Sequence, residues 1–293
     1  MALVNVKINN ISVQVEEGST ILEAAKAAGI KIPTLCYLKG VNEIGACRVC
    51  VCEVKGARSL VAACVYPVNE GMEVFTNTPA VRQSRKATVE LLLSNHNKDC
   101  LSCVRNNNCE LQTLSLELGC DSKKYEGSKT EAQVDDSAAC VIRDNSKCVL
   151  CRRCVAVCKE YQSVAVIGAN SRGFDTHIAC AFEKPLASTA CVGCGQCIVA
   201  CPTGALHEKE EIDEVIDAIS NPRKRVIVGA APSVRVGLGE EFGMPIGSNV
   251  QGKMVAALRR LGFDDVFDVN FAADLTIMEE GTEFLSRVKN LSL

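Results

Sequence analysis

Nineteen of the 293 residues are cysteine, and their spacing says more about their chemistry than their number does. Cys148, Cys151, Cys154 and Cys158 form one short run and Cys191, Cys194, Cys197 and Cys201 a second, both reading C-x2-C-x2-C-x3-C. Thiols this close cannot all pair as disulfides without severe strain. The chain starts MALVNVKINN, with no apolar signal core, so a reducing cytoplasmic setting is expected, where disulfides do not persist. Metal ligation is the remaining use. Zinc generally takes two separated Cys/His pairs, whereas this run, repeated, is the signature of paired [4Fe–4S] cubanes. One x2 loop meets three iron corners, and the helix that follows carries the fourth cysteine toward the other cluster. Cys148, Cys151, Cys154 and Cys201 are therefore assigned to one cubane. Cys158, Cys191, Cys194 and Cys197 are assigned to the other.

The repeat, CVLCRRCVAVCKE against CVGCGQCIVACPT, resembles a bacterial two-cluster ferredoxin. Between its halves, VAVIGA at 164–169 and GFDTHIAC at 173–180 read as strands around a turn at Asn170-Ser171-Arg172. The first run carries Lys159 where the second has Pro202, a difference that bears on the chain's exit and not on ligation.

The upstream cysteines Cys36, Cys47, Cys50 and Cys64 read C-x10-C-x2-C-x13-C. Ahead of them NVKIN and ISVQVEE alternate like strands around Asn9-Asn10, a hairpin signal. Thr20 and Glu23 form a capping box that opens a short helix, with Ile21, Leu22, Ala25 and Ala28 inward and Gly29 as its stop. Pro33 then releases the chain into a cysteine loop. The spacing departs from the plant-ferredoxin pattern, but the stretch resembles the β-grasp [2Fe–2S] domain at the start of complex I large iron–sulfur subunits and large [FeFe] hydrogenases. That resemblance implies a [2Fe–2S] cluster on Cys36, Cys47, Cys50 and Cys64. Cys52 is the rival ligand and is read as a packed thiol.

His96, Cys100, Cys103 and Cys109 spell H-x3-C-x2-C-x5-C. VRQSRKATVELLLSN reads as a helix delivering His96 at its end, and ELQTLSLELG as another stopping at Gly119. By ligand type alone a zinc site of three cysteines and one histidine is favoured. In the same two families this string resembles the His-ligated [4Fe–4S] site that follows the [2Fe–2S] domain, and the resemblance implies that role here. His177 and His207 are read as packing or surface residues. Cys52, Cys120, Cys140 and Cys180 are left without chemistry, as small buried hydrophobes.

The balance of 32 basic against 35 acidic residues gives no electrostatic case for nucleic acid. No apolar run reaches the roughly 18 residues of a bilayer span. RVIVGAAPSVRVGLGEEFG and FDDVFDVNFAADLTIMEEGTEFLSR resemble the opening of the [FeFe] hydrogenase catalytic domain, including Ala231, Pro232 and Ser233. Strands at 225–229 and 266–269 and helices at 252–261 and from about 275 are expected. Gly237 and Gly239 lack the rest of a dinucleotide fingerprint and are read as loop glycines.

The expected architecture is α+β and multidomain. A β-grasp [2Fe–2S] domain spans 1–80, a helical domain for the His-ligated [4Fe–4S] cluster 81–135, a 2[4Fe–4S] ferredoxin-like domain 136–212 and a hydrogenase-like α/β remnant 213–293. The family's H-cluster cysteines come later than Leu293, so no active centre is expected, whether the chain is a natural subunit or a piece of a longer hydrogenase. The resemblance implies an electron-transfer subunit of a soluble NADH- and ferredoxin-linked oxidoreductase, of electron-bifurcating transhydrogenase type. Its implied partners, in a hetero-oligomer, are a flavin- and iron–sulfur-bearing NADH-oxidising subunit, an NADP-linked flavoprotein and soluble ferredoxin. Electrons are expected to pass from the [2Fe–2S] domain through the His-ligated cluster to the cubanes. Lys147, Arg152 and Arg153 are candidates for docking an acidic ferredoxin. The α/β remnant is expected to expose apolar surface that a partner covers.

Overall fold

Strand β1 (Leu3–Ile8) turns through Asn9 and Asn10, both in the left-handed region at φ 48° and 69°, into the antiparallel strand β2 (Ile11–Glu16). Alternation along β1 sends Val4, Val6 and Ile8 inward. In the computed structural model, which describes residues 2–290, the chain divides into two units, 1–209 and 210–293.

In the first unit, helix α1 (Ile21–Ala27) begins at the expected capping box. Thr20 Oγ1 accepts from the Glu23 amide at 3.3 Å, and Glu23 Oε2 accepts from the Thr20 amide at 3.0 Å. Strands β3 (Val51–Val54), β4 (Val61–Ala62) and β5 (Glu73–Phe75) complete a mixed sheet of order β2-β1-β5-β3-β4. Ile21, Ala24 and Ala25 of α1 pack on it with Val6, Ile8 and Val74. Helix α2 (Pro79–Asn95) starts with proline in its first turn, under the Thr78 cap, and ends at His96. Helix α3 (Glu110–Glu117) follows the next cysteine loop and gives way to Gly119 at φ 57°.

Strands β6 (Val134–Asp135) and β7 (Val141–Asp144) lead into helix α4 (Arg153–Glu160). The hairpin of β8 (Ile167–Asn170) and β9 (His177–Cys180) is shorter than the sequence suggests. Val164 and Ala165 instead cap α4, their amides both donating to the Cys158 carbonyl, with Ser163 and Ala165 at positive φ. Helix α5 (Gln196–Ala200) and strand β10 (Leu206–Glu208) return the chain, and β10-β7-β6 form an antiparallel sheet.

The second unit contains α6 (Ile212–Ser220), β11 (Ile227–Ala230), α7 (Val234–Glu241), α8 (Gln251–Leu261), β12 (Asp265–Asp268) and α9 (Val269–Lys289). β11 and β12 pair in parallel. Two expectations fail here. Gly237 and Gly239 lie inside α7 and not in a loop, and a β-carbon on Gly239 would meet Val250 Cγ1 at 3.1 Å. Helix α9 starts at Val269 and not near 275, because Asp268 caps it by accepting from the Phe271 amide at 2.9 Å. No described residue of α9 is buried, and Phe271, Ile277, Met278, Phe284 and Leu285 are exposed.

Candidate metal centres

The Cys36–Cys64 loop holds its thiols two and two. The Cys50 and Cys64 sulfurs are 3.4 Å apart, and Cys36 Sγ accepts from the Cys47 amide at 3.5 Å. Within each pair one thiol hydrogen-bonds the other. The hydrogen bond from Cys36 draws Cys47 down to about 6 while Cys36 rises, and Cys64 likewise draws Cys50 down to about 7 while rising itself. Two thiol pairs side by side suit a group with two irons. Cys52 faces away from this set, its thiol 3.7 Å from the Cys50 carbonyl and 3.8 Å from Arg85 Nη2.

The two later runs interleave. One cavity is lined by Cys148, Cys151, Cys154 and Cys201, and a second by Cys158, Cys191, Cys194 and Cys197. Each therefore takes three thiols from one run and the fourth from the other. The repeat extends to the backbone. Leu150 and Arg152 in the first run and Gly193 and Gly195 in the second occupy the same two positions, all at positive φ. Glycine is at ease there, whereas Leu150 and Arg152 each carry a cost of about 1–2 kcal/mol. Burial pushes Cys148 up to about 11 and Cys151 to about 12, raises Cys154 well above its ordinary value, and raises Cys197 to about 11. Such thiols release their protons only to a cation that replaces them. Among the described residues no three His, Cys, Asp or Glu side chains converge closely enough to hold a single metal ion. The thiols line cavities, as the corners of a cluster require.

His96 is buried at the end of α2, and its Nδ1 has no hydrogen-bond partner. Burial, reinforced by Lys147, lowers its pKa to about 4, so the imidazole is neutral and carries a free lone pair, as a metal ligand must. Cys109 lies within electrostatic reach of Cys103 and Cys100. A β-carbon on Gly204 would meet Cys103 Sγ at 2.7 Å and the Lys147 side chain at 3.5 Å.

Hydrogen bonds tie these loops together at residues that spacing alone does not flag. Asn42, 3% exposed, donates from Nδ2 to the Cys36 carbonyl at 2.8 Å and the Cys151 carbonyl at 3.0 Å. Arg105 donates to the Cys201 carbonyl at 2.9 Å, and the Glu110 amide to the Pro202 carbonyl at 3.0 Å. Arg153 is buried in a bidentate pair with Glu110 at 2.6 and 3.0 Å. It is thus not available to dock a ferredoxin, and Lys147 is engaged by Asp144 at 2.9 Å. Only Arg152 of the expected patch is exposed. Of the cysteines without assigned chemistry, Cys52 and Cys180 are buried and Cys120 is half-buried. Cys140 departs from expectation: it is exposed, lying against the Gly193 carbonyl at 3.6 Å. His177 is engaged by Glu183, and His207 by the Glu208 carbonyl.

Family models match four consecutive stretches. Residues 1–79 match a 2Fe-2S iron-sulfur cluster binding domain, and 85–124 the iron-sulfur binding region of NADH-ubiquinone oxidoreductase-G. Residues 138–207 match the ferredoxin-like domain of NADH-quinone oxidoreductase subunit 3, and 224–293 the C-terminal domain of the iron only hydrogenase large subunit. The chain belongs with the electron-transfer regions of large [FeFe] hydrogenases and complex I large iron–sulfur subunits.

Among individual proteins, it is 50% identical over 293 residues to the NADP-reducing hydrogenase subunit HndD of Solidesulfovibrio fructosivorans, covering 98% of this chain and 50% of that one. It is 42% identical to iron hydrogenase 1 of Clostridium pasteurianum, covering 97% and 50%. It is 36% identical over 207 residues to the NADH-ubiquinone oxidoreductase 75 kDa subunit of Reclinomonas americana, covering 71% and 30%. The chain thus spans about half the length of the hydrogenase relatives, and its match takes in less than a third of the last. A solved structure of an NAD+-reducing [NiFe]-hydrogenase in the H2-reduced state superposes with a TM-score of 0.66 at 27% identity, covering 71% of this chain and 88% of that one. No helix among the described residues is long and apolar enough to cross a membrane.

Proposed function

We propose that the chain is an iron–sulfur electron-transfer subunit of an NADH- and ferredoxin-linked oxidoreductase complex. In this reading a β-grasp domain holds a [2Fe–2S] cluster on Cys36, Cys47, Cys50 and Cys64. His96, Cys100, Cys103 and Cys109 hold a [4Fe–4S] cluster, and the interleaved runs hold two more. Each bound cluster supplies one-electron chemistry, tuned by its ligands and surroundings. The observation that carries the reading is the pair of cavities in which Cys201 joins the first run and Cys158 the second.

The protein's own part is to hold the loops at fixed separations. The serial order expected from sequence, with the His96 loop in the middle, is compatible with the packing, since Leu35 and Cys36 share one buried cluster with Val89, Leu93, Leu111 and Leu114 of the helices that flank that loop. The Cys151 loop meets the Cys36 loop through Asn42, and its neighbour Arg153 meets the Cys109 loop through Glu110. The cubane loop of Cys148, Cys151 and Cys154 thus touches both other regions, and Val149 and Cys151 join Cys36, Leu111 and Leu114 in one buried cluster. The relatives' names mention NADP and NADH, and the resemblance adds the proposed partners: a flavin-bearing NADH-oxidising subunit, an NADP-linked flavoprotein and soluble ferredoxin.

Anaerobic reconstitution tests this. About 14 iron atoms per chain, negligible zinc and four separable paramagnetic centres are expected from one rhombic and three cubane clusters. Stoichiometric zinc with little iron would overturn the assignment. A second reading, the accessory-cluster half of a longer [FeFe] hydrogenase, is favoured by the match of residues 224–293. A native reading frame that continues past Leu293 into cysteine-rich sequence would select it.

A further inference from the structure

Strand β7 places Arg143 where no charge is expected. The residue is 5% exposed and lines both cysteine cavities. Its cross-strand partner on β10, Leu206, lines both as well. This pair is the partition between the cavities, one half aliphatic and the other cationic. No other ionisable side chain except the cysteines lines the second cavity, and the first adds only Arg152.

The guanidinium is polarised toward that partition. Nη2 donates to Asp135 Oδ2 at 3.0 Å and Nη1 to Cys180 Sγ at 3.7 Å, while Nε is buried without a partner. Asp135 lines neither cavity. It is held off to one side by the Leu186 amide at 2.9 Å and by Ser137. A buried guanidinium is costly, and an apolar residue in its place is commonly as stable or more so. Asp135 is its one hydrogen-bonded carboxylate and Glu183 lies within electrostatic reach, but neither lines a cavity.

We infer that Arg143 is a shared potential-setting residue for both cubanes, its buried charge favouring the reduced state of each and its free Nε–H available to a cluster sulfur. The inference rests on the ligand sets proposed above. A cubane on four thiolates is anionic, and taking up an electron adds one more negative charge to a site of low dielectric. A cation in the common wall stabilises that state on both sides and offsets the repulsion between two reduced neighbours.

The test is a redox titration of the full reconstituted chain followed by EPR, with the [2Fe–2S] and His96 centres as internal references. In Arg143→Met both cubane midpoints should fall, by about tenfold in the reduction equilibrium, or 59 mV for one electron. Arg143→Lys, which keeps the charge, should recover most of that shift. Asp135→Asn, which removes the counter-charge, should move both midpoints upward, a sign that loosened packing does not produce. If Arg143→Met fails to load its clusters, the Asp135→Asn shift decides, upward in support and unmoved against. Unmoved cubanes in the loaded variants, or all four centres shifting together, would overturn the inference. Wild-type protein lacking two cubane signals would instead overturn the ligand assignment beneath it.

Discussion

The Asn42 side-chain amide and the Cys151 carbonyl, 109 positions apart in sequence, are joined by a 3.0 Å hydrogen bond buried from solvent. With its second bond to the Cys36 carbonyl, this one amide closes the seam between two cysteine loops that no backbone ladder connects. Asn42→Ala leaves two buried carbonyls unpaired, each costing about 1–3 kcal/mol. A loss of about 3 kcal/mol in denaturant unfolding is expected. Asn42→Asp should be worse, because a carboxylate facing two carbonyls has nothing to donate.

Gly204 borders the His96 region from the far side of the fold. Alanine there would place a β-carbon 2.7 Å from Cys103 Sγ, and a thiol fixed to iron has no room to give. Gly204→Ala is expected to diminish the signal of the His96 centre while sparing the [2Fe–2S] signal. Equal loss from all centres in EPR would contradict this.

Gly193 combines a φ of 63° with Cys140 Sγ 2.9 Å from where a β-carbon would stand. Gly193→Ala therefore adds left-handed strain of about 1–2 kcal/mol to a collision. Iron analysis should show loss from the cubane of Cys191, Cys194 and Cys197, and trimming the neighbour with Cys140→Gly should restore part of it.

In the chain freed of its clusters, burial holds His96 neutral down to about 4, below its ordinary value near 6.5. Between those values the unfolded chain takes up a proton that the folded chain refuses. Stability is then full above about pH 6.5 and falls as the pH drops toward 4, by about 3 kcal/mol in all. Urea unfolding across that range should show the slope, and His96→Leu should flatten it. His96→Cys should still bind iron, but at a lower potential, since a thiolate adds the negative charge that imidazole lacks.

Much of the architecture is legible in the chain because the signals are local. Asn9-Asn10, the Thr20–Glu23 box and the helices flanking the His96 loop depend on residues a few positions apart, and they form where the sequence indicates. The interleaving of Cys158 and Cys201 is long-range, yet two matched runs announce it. What stays hidden is charge brought in from a distance. Arg143 reads as an ordinary polar position on a short strand until β10 pairs with it, and Arg153 reads as a solvated cation until Glu110 takes it. Asn42 has no motif at all. The hairpin β8–β9 is overestimated for the opposite reason: Val164 and Ala165 have strand-forming neighbours, but the end of α4 captures their amides.

Interleaved cavities also bear on how such a protein is made. A nascent chain that has left the ribosome only as far as residue 160 offers three thiols for one centre and a single stray thiol for the other, with the missing donors still untranslated. Neither centre can close until residues 191–201 emerge, and then both can close together. On the proposed ligand sets, filling of this region is therefore expected late in synthesis, and a polypeptide halted midway carries four thiols that complete neither set.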